Sequence, residues 1–337
     1  MIRKKIALIG CGAWGMNYAR VISHNQHCEL TIAYDSDYKK LEKVKLINPQ
    51  TIIAENLNTV FNNKDVDGIV VSTNVLSHFE IVKESLLAGK HVLCEKPITR
   101  TFNEASQLKL IAEEKKLVLM VGHIFLYHDG INYIKEILQK KELGDLMYLN
   151  FKRTGLGPIR DDVNVLWDLA SHDFSILSFF LEKNPISITT FAKTYIQNNI
   201  EDVAFINLEY ENNIFANIHV SWIEPIKQRI ITLVGNKKML VFDDVSLDDK
   251  IKIYDKGISY QTSNGDFGAF QLAIRDGEIV MPNIRYNEPL NKELTHFIEC
   301  MAGNLMPVSN SSSALDVMRL LEAAQLSISM GNKKIIL

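Results

Sequence analysis

The sequence lacks any apolar run of the about 18 residues that a membrane-spanning helix needs. Its four cysteines, Cys11, Cys28, Cys94 and Cys300, stand far apart, with no C-x-x-C pair and no histidine cluster beside them. We therefore expect no disulfide, no metal site and a reducing, cytoplasmic location. Acidic and basic side chains nearly balance at a net charge of −3, which gives no reason to expect a nucleic acid or an anionic membrane as a partner.

What is present is an ordinary globular composition, 47% apolar and 23% charged, in a chain of 337 residues. This length exceeds one ordinary hydrophobic core and predicts two domains, residues 1–122 and 123–337. The first domain alternates helical segments with six strand-like apolar runs, at residues 6–9, 30–34, 51–54, 68–72, 91–94 and 117–122. This alternation predicts an α/β fold with a doubly wound parallel sheet, whose ligands bind beyond the carboxyl ends of the strands.

The second domain is rich in short β-type runs separated by turn signals, which predicts an α+β domain with a large, mostly antiparallel open sheet. Asn212-Asn213 and Gly235-Asn236 lie between such runs and indicate hairpins. Helices are expected at 125–141, 290–301 and 311–329, the last packing back on the first domain. The strands are expected at residues 145–153, 187–195, 203–210, 214–222, 229–234, 239–242 and 250–254, and a loop at 282–289.

A glycine-rich turn follows the first predicted strand and precedes an amphipathic helix. Gly10 permits the tight turn, Gly12 lets a diphosphate approach the backbone, and Gly15 lets helix and strand pack closely. The helix start offers free N–H groups and a positive dipole end to that diphosphate. This context makes the motif a dinucleotide site rather than incidental glycines, and its residues are Gly10, Cys11, Gly12, Ala13, Trp14 and Gly15.

Asp35 ends the second predicted strand, 20 positions after Gly15. A carboxylate at this position accepts hydrogen bonds from an adenosine ribose and disfavours a 2′-phosphate. The sequence therefore favours NAD over NADP, although Lys39 and Lys40 would reach a phosphate if their loop folded back.

Polar residues follow the later strands at the edge where the cofactor is expected. Ser72, Thr73 and Asn74 follow the fourth strand, where the serine or threonine caps the next helix, contacts the cofactor or does both, and His78 lies one turn further on. Glu95 and Lys96 come directly before Pro97, and Lys96 is either a solvated charge or a functional group near the nicotinamide. His123 follows the sixth strand, where a lone histidine is commonly structural. This set of candidates comprises Ser72, Thr73, Asn74, His78, Glu95, Lys96 and His123.

In the second domain Asp168 and His172 are spaced i, i+4 on a predicted helix that Asp162 or Asn164 caps and that runs through residue 180. A carboxylate beside an imidazole fixes its tautomer and stabilises its protonated form, as a general base requires. The alternative is an ordinary exposed helix pair, and the spacing alone does not choose between them.

The combined pattern GCGAWG, STN, H and CEKP, followed by W-D-x-x-x-H-D, resembles the Gfo/Idh/MocA oxidoreductases over nearly the whole chain. The resemblance implies that Lys96, Asp168 and His172 form the catalytic set and that the peptide before Pro97 is often cis. The family's usual S-T-P reads Ser72-Thr73-Asn74 here, so the cofactor loop differs in detail.

Within that family, the segment from residue 155 to 173 is most similar to nucleotide-sugar 3-dehydrogenases, which oxidise C3 of UDP-N-acetylglucosamine or its uronic acid. Arg160 is then a candidate for the substrate's diphosphate or carboxylate, because a guanidinium forks onto such oxygens. Asn164 and Asp173 either bind sugar hydroxyls or cap. Weaker candidates, with surface ion pairing as the default, are Arg153, Arg285 and Tyr286.

Together these expectations predict an NAD-dependent dehydrogenase of a UDP-sugar. Its expected substrate-binding residues are Lys96, His123, Arg160, Asn164, Asp168 and His172. His172 removes the hydroxyl proton and Lys96 stabilises the alkoxide, or the two exchange roles. The alternatives are a dehydrogenase of a free polyol such as inositol and a non-catalytic NAD-sensing regulator. The resemblance also implies a homodimer or homotetramer.

Overall fold

The computed structural model describes residues 3–262, 270–303 and 305–337. The chain folds into two compact units. Unit 1 comprises Met1–His128 and Asn287–Arg319, and unit 2 comprises Asp129–Tyr286 and Leu320–Leu337. Within the described residues, no helix is long and apolar enough to cross a membrane.

Unit 1 is built on a six-stranded parallel sheet of order β3-β2-β1-β4-β5-β6. Its strands are buried on both faces, as the continuous apolar runs of such a sheet require. The doubly wound sheet expected from the sequence is confirmed. Its elements are β1 (Lys4–Ile9), α1 (Ala13–His24), β2 (Cys28–Tyr34), α2 (Tyr38–Ile47), β3 (Ile52–Ile53), α3 (Leu57–Phe61), β4 (Gly68–Val71), α4 (Val75–Leu87), β5 (His91–Glu95), α5 (Phe102–Lys115), β6 (Leu119–Gly122), a 3-10 helix (Ile124–Tyr127) and, after unit 2, α8 (Pro289–Met301).

Unit 2 is built on a nine-stranded sheet in which the only parallel pair among the described strands is the β7–β10 pair. The mostly antiparallel sheet is therefore confirmed. Its elements are α6 (Asp129–Gln139), β7 (Leu146–Leu156), a π-helical turn (Leu166–Ala170), α7 (Ser171–Leu181), β8 (Ser187–Lys193), β9 (Val203–Glu209), a 3-10 turn (Glu211–Asn213), β10 (Phe215–Ser221), β11 (Ile223–Gly235), β12 (Met239–Asp243), β13 (Ile251–Thr262), β14 (Phe270–Val280) and β15 (Ile335–Ile336). Helix α9 (Ser311–Ser329) contributes its first residues to unit 1 and the rest to unit 2.

The two hairpins expected in this sheet are present. Asn212 and Asn213 take left-handed backbone angles, with φ of 59° and 57°, between the paired strands β9 and β10. Asparagine tolerates this region better than most residues, because its short polar side chain bonds locally. The Gly235-Asn236 turn likewise joins β11 to β12.

Several predicted boundaries are wrong. The helix expected at 125–141 is interrupted at His128, whose extended backbone ends the 3-10 helix before α6 begins at the acidic residue Asp129. Strands β11 and β13 are longer than predicted, and β14 was not predicted. These added segments are held by antiparallel partners rather than by an apolar run, so local composition does not signal them.

The turn after β1 is set by backbone contacts that exclude side chains. Gly10 has a φ of +90°, and a Cβ there would lie 2.7 Å from the Ser72 carbonyl group. A Cβ on Gly15 would lie 2.0 Å from the Gly10 carbonyl oxygen, so this glycine brings α1 against β1. A Cβ on Gly12 would meet nothing within 4 Å, and this part of the turn faces open space.

We expect Gly15→Ala to lower the free energy of unfolding by about 3 kcal/mol, because its methyl group would overlap the Gly10 carbonyl. Gly12→Ala is the matched control and should cost less than about 0.5 kcal/mol, since its methyl group enters open space. Urea unfolding of both variants measures the difference. Equal losses would contradict the packing role of Gly15.

Candidate functional site

The first turn of α1 offers a site for an anion. Gly12 is the N-cap residue and no side chain caps the N–H groups that follow it. Ala13 and Trp14 begin the helix, and the Trp14 side chain is half exposed. Free N–H groups at a helix start, beside a glycine with open space above it, form a cradle that a diphosphate fits.

Asp35 lies directly after β2 and is fixed toward this turn. Its Oδ2 accepts the N–H of Cys11 at 2.7 Å, and its Oδ1 accepts the N–H of Asp37 at 2.8 Å. Partial burial alone would raise the pKa of Asp35, but these two N–H donors and Lys40 Nζ at 3.3 Å outweigh it and hold the pKa below its ordinary value. Asp35 is therefore an oriented carboxylate at neutral pH.

The loop after β4 lies against the glycine turn. Ser72 Oγ donates to the Gly10 carbonyl oxygen at 2.7 Å, and Thr73 Oγ1 accepts from Ser77 Oγ at 2.8 Å. Asn74 is the N-cap of α4, yet its side chain caps no N–H group. The N-cap position of α4 thus belongs to Asn74 and not to the serine or threonine expected there, and cofactor contact by this loop stays a prediction.

His78 is buried and both of its ring nitrogens contact backbone carbonyls. Nδ1 lies 2.9 Å from the Pro97 oxygen and Nε2 lies 3.1 Å from the Thr73 oxygen. Burial lowers the pKa of His78, against the effect of these carbonyls, which raise it. His78 thus links the loop after β4 to the loop after β5. We therefore expect His78 to influence cofactor binding by holding these two loops.

The loop after β5 carries Glu95, Lys96 and Pro97, and the Lys96–Pro97 peptide is cis. Glu95 Oε2 accepts the backbone N–H of Lys96 at 3.1 Å. Burial raises the pKa of Glu95, and the charge of Lys96 opposes this rise. Lys96 itself is partly exposed.

His123 follows β6, the neighbour of β5, and lies within electrostatic reach of Lys96. Its side chain is buried, and its Nδ1 has no hydrogen-bond partner among the described residues. Burial first, and the Lys96 charge second, lower the pKa of His123 to about 3. His123 is therefore a neutral imidazole beside Lys96 at physiological pH.

Unit 2 holds the other proposed catalytic residues on one continuous helical segment. Asn164 Oδ1 accepts the Trp167 N–H at 3.1 Å, and Asn164 Nδ2 donates to Glu201 and Gln325. These contacts fit the capping alternative for Asn164. The segment then forms the π-helical turn before α7, so the α-helical spacing assumed for Asp168 and His172 is altered within it.

Asp168 is held from two directions. Its Oδ2 accepts the indole N–H of Trp222 at 3.2 Å, and its Oδ1 lies 3.4 Å from Arg160 Nη1. Trp222 was not foreseen, because it follows β10 and carries no local motif. His172 is partly exposed four residues after Asp168, and orientation of its ring by Asp168 stays a prediction.

Arg160 forms a fork with Asp162, with Nε 2.8 Å from Oδ1 and Nη2 2.6 Å from Oδ2. This pair and the contact with Asp168 raise the pKa of Arg160, the Asp162 hydrogen bond contributing most. Arg160 is partly exposed, so a substrate anion would compete with Asp162 for the guanidinium.

Arg153 and Asp173 form a buried ion pair, and the surface pairing expected for Arg153 is wrong. The Arg153 side chain donates from Nε and Nη2 to the Asp173 carboxylate at 2.8–3.1 Å. Both side chains are almost completely buried, because β7 carries Arg153 under the start of α7. The Asp173 carboxylate is thus engaged with Arg153, directly beside His172 in sequence.

The described residues contain no group of three or more histidine, cysteine, aspartate or glutamate side chains that could hold a metal ion. The weaker candidates Arg285 and Tyr286 lie in the expected loop at 282–289, exposed to solvent.

Sequence reasoning missed Tyr18 and Glu293, whose side chains hydrogen-bond to each other in unit 1. Glu293 did carry a signal, since it interrupts the apolar stripe of α8.

We expect Arg153→Leu to lower the free energy of unfolding by about 3–5 kcal/mol, because it leaves the buried Asp173 carboxylate without its cation. Arg160→Leu is the matched control, whose partly exposed pair with Asp162 should contribute less than about 1 kcal/mol. Chemical denaturation distinguishes the two. A loss from Arg153→Leu no larger than the control's would refute a structural role for the pair.

Since the pKa of His123 is lower in the folded than in the unfolded protein, its contribution to stability is complete near neutral pH and is lost as the pH falls below about 6.5. Between pH 7 and pH 5, the wild type should lose about 2 kcal/mol more than His123→Gln, which has no group to protonate. Urea unfolding at the two pH values tests this, and parallel losses would show that His123 titrates normally.

Comparison with known proteins identifies the family. Residues 4–123 match an oxidoreductase family with an NAD-binding Rossmann fold, and residues 131–241 match the Gfo/Idh/MocA C-terminal domain. The glucose-6-phosphate 3-dehydrogenase of Bacillus subtilis is 25% identical over 311 residues, which are 86% of this chain and 83% of that protein. The UDP-N-acetylglucosamine 3-dehydrogenase of Acidithiobacillus ferrooxidans is 27% identical over 198 residues, 57% of this chain and 60% of that protein.

A solved structure of UDP-N-acetylglucosamine 3-dehydrogenase from Acidithiobacillus ferrooxidans shares the fold, with a TM-score of 0.82 and 22% identity over 97% of this chain and 98% of that chain. The family resemblance seen in the motifs is confirmed. The chain belongs to the Gfo/Idh/MocA family of oxidoreductases, with residues 4–123 as its NAD-binding domain.

Proposed function

We propose that this protein is an NAD-dependent dehydrogenase that oxidises a secondary hydroxyl of an anionic sugar, with C3 of a UDP-N-acetylhexosamine or its uronic acid as the leading substrate. The observation that carries the proposal is the position of Lys96 in the NAD-binding unit. It follows β5 at the carboxyl edge of the sheet, with Glu95 and the neutral His123 beside it. Ligands of doubly wound sheets bind at this edge.

The residues of unit 1 fit NAD. The N–H groups of residues 13–15 and the open space at Gly12 suit the diphosphate, and the Asp35 carboxylate suits the adenosine ribose. An ionised Asp35 also repels a 2′-phosphate, and Lys40 is paired with that same carboxylate. NAD is therefore proposed over NADP. When bound, the nicotinamide accepts the hydride from the substrate carbon.

The proton chemistry is assigned to the chain's own residues. His172 takes the hydroxyl proton, and Asp168 orients its ring and stabilises the imidazolium. Lys96 donates a hydrogen bond to the developing alkoxide, and the two residues exchange roles if Lys96 is the base. These roles come from the match to the family motifs, and hydrogen bonds from Arg160 and Trp222 hold the Asp168 carboxylate.

An anionic substrate is proposed because Arg160 offers a guanidinium fork in the segment beside the Asp168–His172 pair. Two relatives of this chain are named as 3-dehydrogenases, one of glucose 6-phosphate and one of UDP-N-acetylglucosamine, and both named substrates carry phosphate groups. A free polyol such as inositol would leave Arg160 without a partner from the substrate. Arg160 therefore favours the anionic sugar. A homodimer or homotetramer remains an expectation from the family.

The test is NADH formation at neutral pH with NAD and, separately, UDP-N-acetylglucosamine, its uronic acid, glucose 6-phosphate and myo-inositol. We expect turnover of a UDP-sugar, and a loss of at least about 100-fold in kcat in both Lys96→Ala and His172→Ala. Lys140→Ala and His24→Ala remove exposed side chains of the same types and should leave kcat unchanged. Binding of NAD, followed by tryptophan fluorescence, should persist in His172→Ala.

Each other result changes the proposal in a defined way. Turnover of inositol alone, unaffected by Arg160→Ala, would refute the anionic substrate. Turnover of glucose 6-phosphate alone would keep the chemistry and refute the nucleotide. Faster turnover with NADP would refute the role of Asp35. Tight NAD binding with no turnover of any compound would favour an NAD-sensing regulator.

A further inference from the structure

A second carboxyl group lies next to the Glu95–Lys96 segment, completely buried in unit 1. Glu293 belongs to α8 and is 0% exposed, on the same helix as the buried residues Leu290, Leu294 and Phe297. A carboxyl group among such neighbours is costly unless it is neutral or paired. Glu293 therefore needs a partner or a proton.

Its partner is Tyr18 of α1. The Tyr18 hydroxyl lies 2.9 Å from Glu293 Oε2 and also 3.0 Å from Glu95 Oε1. A tyrosine hydroxyl carries one proton, so it donates to one carboxylate at a time. Two ionised carboxylates would leave one of these contacts without a hydrogen. One of the two glutamates must therefore carry a proton and donate it to the Tyr18 oxygen.

The surroundings indicate which glutamate is protonated. Glu95 Oε2 accepts the Lys96 N–H, and the positive charge of Lys96 favours its ionised form. Glu293 Oε1 has no hydrogen-bond partner among the described residues. An ionised Glu293 would be a buried negative charge with one hydrogen-bond donor at most. A neutral Glu293 instead donates a hydrogen bond to the Tyr18 oxygen.

We propose that Glu293 is a neutral carboxylic acid that donates to Tyr18, which donates to Glu95, and that this series of hydrogen bonds makes Glu293 and Tyr18 positioning residues for Lys96. The series of hydrogen bonds runs in one direction and ends on an ionised Glu95, whose second oxygen accepts the Lys96 N–H. Its effect on turnover rests on the function proposed for Lys96. Its protonation pattern does not.

A steric contact supports a fixed Glu95 carboxylate. A Cβ on Gly122, at the end of β6, would lie 3.2 Å from both Cδ and Oε1 of Glu95. The carboxyl group of Glu95 therefore packs closely against Gly122, a position that has no side chain. The contact with Gly122 and the hydrogen bond with Tyr18 both restrict it.

Burial and the charges around the Glu293–Tyr18–Glu95 hydrogen bonds also favour a protonated Glu293. Burial first, and the charge of Glu95 second, raise the pKa of Glu293 well above its ordinary value. Burial also raises the pKa of Tyr18, so its hydroxyl keeps its proton. The groups that face the chain from other elements are Cys94 of β5, Lys96, His123 after β6, Tyr127 of the 3-10 helix and, beyond Tyr127, Cys300 of α8.

None of these neighbours offers a competing proton near neutral pH. Burial raises the pKa of the Cys94 thiol, of Tyr127 and of Cys300, so all three stay protonated and neutral. His123 stays unprotonated. Lys96 is therefore the cation that balances the charge of Glu95.

The protonation pattern is tested without any substrate, by infrared difference spectroscopy of the full chain at neutral pH. The C=O stretching band of a protonated carboxyl group should be present in the wild type, shift in D₂O and disappear in Glu293→Gln. It should persist in Glu95→Gln and shift in frequency in Tyr18→Phe, which removes the hydrogen bond but not the acid. A band that disappears in Glu95→Gln instead, or no band in the wild type, overturns the proposal.

The positioning role is tested by the pH dependence of kcat with whichever sugar the NADH assay finds to be turned over. Tyr18→Phe removes a hydrogen bond that lowers the pKa of Glu95, so the acid limb of the profile should move to higher pH, with about tenfold lower kcat on that limb. Glu293→Leu should act in the same direction. In Glu293→Gln the amide still donates to Tyr18, so the acid limb should stay close to its wild-type position.

Tyr127→Phe is the matched control, because it removes a buried hydroxyl near Glu293 whose hydrogen bonds go to Ser309 and Met120 instead. Its acid limb should stay in place. A Tyr18→Phe variant that lowers stability but leaves the limb unmoved overturns the positioning role. If no sugar is turned over, the proposed function fails and the infrared bands still decide the protonation of Glu293.

Discussion

The close approach of α1 to the end of β1 is the constraint on which the cofactor half of the molecule depends. Gly15 has no room for a side chain against the Gly10 carbonyl, and that carbonyl also accepts a hydrogen bond from Ser72. The first turn of α1, the loop after β4 and the carboxylate of Asp35 thereby gather around one backbone turn. The open face of that turn, at Gly12, is where a diphosphate fits, so the NAD-binding assignment follows from backbone geometry more than from side-chain identity.

Burial and the neighbouring donors and charges together set the charge of the groups in unit 1. Asp35 is ionised because three donors face it, whereas His123 is neutral because it is buried beside a lysine. The same reasoning makes Glu293 neutral and Glu95 ionised, although both contact one tyrosine. Among the described residues, the Lys96 charge therefore lies close to an ionised Glu95 and a neutral His123. These surroundings suit the role proposed for Lys96, because neighbours whose charges are already set need not reorganise during a reaction.

Much of this arrangement could be predicted from sequence. The six parallel strands, the glycine turn, Asp35 and the Asn212-Asn213 hairpin all carry local patterns, and each is present. The Arg153–Asp173 pair and the Tyr18–Glu293 contact could not be predicted, since their partners lie 20 and 275 residues apart and no periodicity relates them. Strand β14 was missed for a related reason, because it is defined by pairing with β13 rather than by an apolar run. A local pattern predicts the edge where a site forms, and long-range packing determines the protonation of its residues.

In unit 2, burial separates an ion pair that is fixed from one that can exchange its partner. The Arg153–Asp173 pair is buried and bidentate, so it holds the start of α7 and is unavailable to a ligand. The Arg160–Asp162 pair is partly exposed, so its guanidinium can exchange Asp162 for another anion at small cost. A phosphate or carboxylate with two charged oxygens replaces the Asp162 contacts in kind, whereas a neutral polyol does not. The proposed selectivity for an anionic sugar would then arise from competition at Arg160, because only an anion compensates the displaced carboxylate.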